Sequence, residues 1–245
     1  MQDKNPYAAS KVATTREVSP QLATQPRDFG IGEVLGLGFT AVKNQPVELI
    51  GGFALTIVLT WAIQQVPQLA LLMGVLPADA ITAAALVALA SALLGGLASA
   101  YFSVGQLRVA LSAARGEPVE FAQFFSGGDR FGTMFLMNLL TAFGMIVGLL
   151  LFVIPGLVLA LGWSLASAFV SDTDCSASEA LSESWGLTKG FKLKLFFFVG
   201  ATVLVVLLGL LCLGVGFFVA LPTVVIAYAV IYMRLTGNVQ SQQSR

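Results

Sequence analysis

The sequence predicts an all-α integral membrane protein: six transmembrane helices arranged as three helical hairpins, each preceded by a short cytoplasmic amphipathic helix. Three observations carry this. Of the 245 residues, 57% are hydrophobic and 11% charged, with a mean hydropathy of +0.86, which leaves too few charges to cover a water-soluble domain. No charged residue lies between Arg130 and Asp172, and Pro155-Gly156 sits near the middle of that run. A run of that length is two crossings of roughly 20 residues each, with Pro-Gly breaking the helix where the chain must reverse. The apolar segments are continuous and lack the period-two alternation of a membrane β-barrel.

The elements follow in order. Residues 1–28 are polar, contain Pro6, Pro20 and Pro26, and read as a disordered cytoplasmic tail. Ile31, Val34, Leu35, Gly38, Phe39 and Val42 then repeat at the spacing of one helical face, over a segment too short to span. Lys43-Asn44-Gln45-Pro46 breaks that helix, and Val47 to Gln65 forms the first crossing, with Trp61 near its far end as an interfacial anchor. The stretch from Val66 to Ala78, bracketed by Pro67 and Pro77, reads as an exposed loop or a short surface helix. Asp79 can cap the second crossing, which starts at Ala80 and continues past Gln106 to Arg115, where Gly116 ends it. Ser91, Gly95, Ser99 and Ser103 recur every fourth residue, with Ala84, Ala88, Ala92, Gly96 and Ala100 on an adjacent stripe. Small residues at that spacing let helices approach closely in lipid, so this crossing is expected at the centre of the bundle.

After Glu117-Pro118, residues Phe121, Phe124, Phe125 and Gly128 predict a second surface helix, and the third crossing runs from Phe131 to Ile154. Pro155-Gly156 is expected to reverse it into the fourth, Leu157 to Ser171. Ser176 and Glu179 match a capping box, opening a third surface helix whose face holds Ala180, Leu181, Ser184, Trp185 and Thr188. The fifth crossing spans Leu193 to Leu213, a Gly214-Val215-Gly216 turn follows, and the sixth runs from Phe217 to Met233 with a kink expected at Pro222. From Arg234 onward the sequence reads as a polar tail. The membrane domain is thus 29–236, in repeat units of about 31–107, 117–172 and 177–234, with a cytoplasmic tail over 237–245. A shift of 60 residues places Leu181 on Phe121, Trp185 on Phe125 and Gly216 on Gly156, which reads as an internal repeat.

All 13 Lys and Arg residues fall in the amino-terminal region, the two loops after even crossings or the carboxyl-terminal region. The positive-inside rule therefore places both termini in the cytoplasm. Cys175 and Cys212 fall near opposite membrane faces, too far apart to pair. The net charge of zero gives no sign of nucleic-acid binding, and the absence of histidine removes the commonest general base and metal ligand.

Ile154-Pro155-Gly156, followed by Glu179-Ala180-Leu181-Ser182-Glu183-Ser184-Trp185 and Leu187-Thr188-Lys189-Gly190, resembles a pattern in a bacterial six-helix inner-membrane family of largely unassigned function. That family includes the YciC-like proteins and the membrane domain of some glycerophosphodiester phosphodiesterases. The resemblance implies a multi-pass protein of the bacterial inner membrane. It carries over no catalytic residue, since the phosphodiesterase chemistry belongs to a separate soluble domain.

Candidate sites divide into three groups. Arg130, Lys189, Lys192 and Lys194 are candidate lipid-headgroup contacts, a role compatible with their being simple topology determinants. Phe39, Phe125 and Trp185 are candidate membrane-surface anchors, and Gly95, Ser99, Pro155, Gly156 and Pro222 candidate packing or hinge positions. Asp172, Asp174, Glu179 and Glu183 read as helix-capping and solvated charge rather than as a cation site. The crossings hold only neutral polar groups such as Asn138, Thr141, Ser164, Ser167 and Thr202, with Trp163 near mid-membrane as a packing residue. The absence of buried charge argues against ion-coupled transport. The expectation is a non-enzymatic scaffold or accessory subunit of a membrane assembly, lipid-organising in part. It has no cofactor and no metal, and its partners are membrane lipids and either a protein partner or a second copy of the chain. The alternative is a transporter or channel for a lipid or uncharged solute.

Overall fold

The computed structural model describes residues 29–74, 80–151, 153–211 and 215–243. Six helices are long and apolar enough to cross a membrane: Pro46–Leu72, Ile81–Ala114, Phe131–Gly148, Pro155–Asp172, Lys192–Leu211 and Gly216–Gly237. No strand occurs among the described residues. In chain order the elements are α1 (Ile31–Asn44), α2 (Pro46–Leu72), α3 (Ala80–Ala114), a 3-10 segment (Phe121–Asp129), α4 (Phe131–Leu151), α5 (Val153–Gly162), α6 (Ala166–Asp172), α7 (Ala177–Leu187), α8 (Lys192–Leu211) and α9 (Val215–Gln243). The expected tail over 1–28, the cap at Asp79, and Pro77, Cys212 and Gly214 lie outside the described residues.

Burial sorts the crossings. Over their most apolar windows the last crossing is 56% buried and the fourth 50%, against 17% for each of the third and fifth, so α9 and the α5–α6 pair form the interior while α4 and α8 present their flanks outward. The second crossing is central through its carboxyl-terminal half: α3 packs against α2, α4, α6, α9 and the 3-10 segment. Its amino-terminal half is less enclosed. Ala84, Ala88 and Ala92 are exposed, and the buried face runs instead through Ala83, Val87 and Gly95. Gly95 does serve close packing, because a Cβ there would lie 2.7 Å from Gln64 Cγ of α2.

Several elements differ from the sequence expectation. The stretch after Gln65 is not a loop: α2 continues through Pro67 to Leu72, since an internal proline removes one backbone hydrogen bond and clashes locally without ending a helix held on both sides. The second surface segment is a 3-10 helix. Its tight winding lets it dock on α3 backbone to backbone, with Gly105 against the Phe124 carbonyl and Gly127 against the Tyr101 carbonyl. Phe124 is fully buried between Gly52 and Phe53, meeting the Phe53 ring edge-on at 5.4 Å.

Pro155 does not mark the reversal. It lies in the first turn of α5, where a proline costs no hydrogen bond, and that helix has already begun two residues earlier, at Val153. Gly156 tightens the hairpin, since a Cβ on Gly148 would lie 2.9 Å from its Cα. The last hairpin closes similarly, a Cβ on Gly209 falling 2.7 Å from the Gly216 carbonyl oxygen. The fourth crossing is two helices with a break between Gly162 and Ala166. The last helix does not give way to a tail at Arg234, because Arg234 and Leu235 are buried and α9 runs on to Gln243. Pro222 sits inside this helix beside the crossing of α1, where Gly38 touches the Thr223 carbonyl. Helix α1 therefore lies on α9 through Val34, Gly38 and Val42, all buried.

Candidate functional site

Two regions concentrate polar chemistry: the end of the bundle where the basic residues gather, and the interior between α2, α3, α4, α6 and α9. At the basic end, four arginines each clasp one element to another. Arg108 of α3 holds Asp129 at the end of the 3-10 segment through two bonds of 2.6 and 3.0 Å. Arg115, just beyond α3, donates to Asp172 of α6 at 3.0 Å, and Tyr232 of α9 donates to the other oxygen of that carboxylate at 3.2 Å. Arg130 pairs with Asp174 and donates to the Thr173 carbonyl. Arg234 of α9, 3% exposed, grips Glu33 of α1 at 2.6 and 3.1 Å.

These pairs rearrange the expected roles. Asp172 is an ion-pair partner of Arg115 rather than a cap or solvated charge, whereas Asp174 pairs with Arg130 while its side chain stays 88% exposed, as solvated charge does. Glu179 keeps the expected role: its backbone N–H donates to Ser176 Oγ at 3.3 Å while its carboxylate accepts from the Ser176 N–H at 2.8 Å. The Arg234 guanidinium holds the Glu33 carboxyl below the usual carboxylate range, Arg108 does the same for Asp129, and the Ser176 N–H does so for Glu179.

Among the four cations expected at lipid headgroups, Arg130 is engaged internally. Lys189 is exposed, Lys192 places its ammonium 3.2 Å from the centre of the Trp185 ring, and Lys194 stands 5.1 Å from the Phe29 ring. The three anchors also divide. Phe39 is 54% exposed and Phe125 40%, but Trp185 turns inward onto Gly162 and is covered by Lys192. Its ring therefore serves the packing of α7 onto α5 in this structure.

In the interior, the α5–α6 break is held by α7. Ser184 Oγ donates to the Gly162 carbonyl at 2.8 Å and accepts the Leu165 N–H at 3.2 Å, and Thr188 adds a bond to the same carbonyl at 3.3 Å. Backbone groups freed inside lipid must find partners. The turn between the two helices, in which the Ala166 N–H donates to the Trp163 carbonyl at 3.1 Å, brings Ser164, Leu165 and Ser167 to the wall of a cavity of about 300 Å³, shared with Ser103, Asn138 and Tyr228. A second cavity of about 310 Å³ lies between α2 and α3, lined by Thr60, Trp61, Gln64 and Phe102. Ser99, Ser103 and Gln106 line both. Ser99 is thus a cavity-lining residue rather than a packing contact, and Gln106 is oriented by donating to Thr56 Oγ1 at 2.8 Å. No Asp, Glu, Lys or Arg lines either cavity.

Sequence reasoning found Asn138, Ser164 and Ser167 as interior polar groups and Trp163 as a packing residue, which the structure seats against Gly144. It missed Gln64, Gln106, Tyr228 and the helix break. The usable signal was the pairing of Gly162-Trp163-Ser164 with hydroxyls at Ser184 and Thr188, four residues apart on one helical face. Among the described residues no three His, Cys, Asp or Glu side chains come together as a metal site.

The fold and these two regions define a class: a polytopic α-helical membrane protein with an ion-paired end and an uncharged polar interior. No family model matches the chain, nor does any curated protein or solved structure match it.

Proposed function

We propose that this protein is a non-enzymatic scaffold or accessory subunit of a membrane assembly that also organises lipid, sitting in a bacterial inner membrane with both termini cytoplasmic. The observation that carries the proposal is the set of four arginine–carboxylate clasps, which tie α1, the 3-10 segment and the α6–α7 loop to the crossings. A surface fixed by several cross-element ion pairs is a preorganised platform, and docking onto it costs a partner little ordering entropy. Phe39 and Phe125 stand exposed on two of the tied elements, and with the exposed Lys189 they are available as contacts for lipid or a partner. Native mass spectrometry on protein gently released from its membrane tests this. A retained partner or defined oligomer, lost in a Phe39→Glu, Phe125→Glu double variant, supports the platform. A bare monomer from the wild type refutes it.

The two cavities meeting at Ser99, Ser103 and Gln106 favour a second reading, a transporter for a lipid or an uncharged solute. Lipid scrambling or solute flux in proteoliposomes separates the two, because a scaffold produces neither.

A further inference from the structure

The α3–α4–α6–α9 cavity has a chemical character that neither proposed role requires. Its polar lining comprises Ser99, Ser103, Gln106, Asn138, Ser164, Ser167 and the Tyr228 hydroxyl, against an apolar wall of Leu107, Met134, Leu165 and Val225. The Ser103 and Ser164 hydroxyls are occupied by the Ala100 and Leu161 carbonyls of their own helices, and Gln106 by Thr56. Asn138, Ser99, Ser167 and Tyr228 make no side-chain hydrogen bond to any described residue. Between them these groups offer both donors and acceptors. Ser99 is exposed and Asn138, Ser167 and Tyr228 are half-buried, so their polar groups stand open to the cavity, where a ligand with hydroxyls of its own can pair with them.

We propose that this cavity binds the uncharged, hydroxyl-bearing headgroup of a membrane amphiphile. Charge is disfavoured because no ionic side chain lines the cavity to offset the desolvation of a phosphate or ammonium. A volume of about 300 Å³ lies at the lower end of small-molecule sites and suits a glycerol- or sugar-sized headgroup with the first carbons of its chain. The apolar wall takes those carbons. Access comes from the side: the α2–α3 cavity shares Ser99, Ser103 and Gln106 with this one, and its rim residue Trp61 is 62% exposed on the outer flank of α2. That route favours a ligand already dissolved in the bilayer over a free polyol. The break between Gly162 and Ala166 borders the same site, bringing Ser164 and Leu165 to its wall. The proposal rests on the cavity that motivates the transport reading, and it stands whether or not the ligand is carried across: binding without flux removes the transporter and leaves the site.

The test uses the full chain in phosphatidylcholine nanodiscs, with the thermal unfolding midpoint read during titration with dioctanoylglycerol, dioctanoyl phosphatidylglycerol, or free glycerol or glucose. A saturable rise with dioctanoylglycerol is expected, with little response to the anionic lipid, which carries the same chains and a phosphate. Asn138→Leu, which removes an amide with no internal partner, should fold normally and raise the half-saturating concentration about tenfold. Ser99→Leu provides an independent block at the junction of the two cavities. A saturable response to free glycerol or glucose, equally lost in Asn138→Leu, keeps the hydroxyl chemistry and moves the source to a soluble polyol. No saturable response, or one shared by the phosphatidylglycerol and unchanged in both variants, overturns the site.

Discussion

Glu33 and Arg234 stand 201 positions apart in sequence, yet their pair decides how α1 is held. The guanidinium is 3% exposed and its Nε has no hydrogen-bond partner, whereas the Glu33 side chain is 54% exposed. Removing the carboxylate therefore leaves a buried cation uncompensated, which is worse than losing an exposed ion pair. Glu33→Ala should cost on the order of 2 kcal/mol, discounted from the fully buried case because solvent reaches the carboxylate. Adding Arg234→Met should recover most of that, because the double variant buries no charge. Chemical unfolding of the single and double variants checks both outcomes, and equal loss in the two would mean that the contact, not the stranded charge, carries the energy. The same pair has a pH signature. The folded carboxyls of Glu33 and Asp129 lie below their ordinary values, so their stabilisation is complete above the usual carboxylate range and is lost as pH falls through it. Melting temperature should be flat in these contributions from pH 8 to 5 and drop below about pH 4. The drop should shrink in Glu33→Ala.

At the scale of elements, the broken fourth crossing is the feature most dependent on a neighbour. Ser184 serves both sides of the break, donating to Gly162 and accepting from Leu165. Ser184→Ala leaves a buried N–H unpaired, because Thr188 reaches the carbonyl but not the amide. A loss of about 1–2 kcal/mol is expected, with faster amide exchange at residues 163–166 as the specific readout. Unchanged exchange there would show that the break does not depend on α7. Such dependence explains what the sequence could and could not convey. Six apolar stretches, the Ser176–Glu179 capping box and the Gly116 stop rest on local chemistry and were legible. The break at Trp163, the 3-10 winding over Phe121–Asp129 and the helical continuation past Arg234 arise from contacts with distant segments, which a single sequence does not display. Pro155 was misplaced for a related reason: Pro-Gly fits a reversal and a helix start equally well, and only the position of the preceding turn separates them.

At the scale of the molecule, the ion pairs share one end of the bundle. Arg108 and Arg115 close α3, Arg234 lies in the carboxyl-terminal part of α9, and Arg130 begins α4. That end also carries Lys189, Lys192 and Lys194, flanking the start of α8. Long charged side chains cannot cross the hydrocarbon cheaply, so these residues are expected on one side of the bilayer, and the excess of Lys and Arg over the opposite loops is what supports the proposed cytoplasmic orientation. Cys175 reports on the assignment directly, because it lies in the α6–α7 loop, has no disulfide partner and is partly accessible. In a Cys212→Ser background, a membrane-impermeant maleimide applied to intact cells should leave Cys175 unlabelled, and permeabilisation should make it react. Labelling before permeabilisation would invert the protein, placing the clasps and the exposed Phe39 and Phe125 on the outer face, where a cytoplasmic assembly could not reach them.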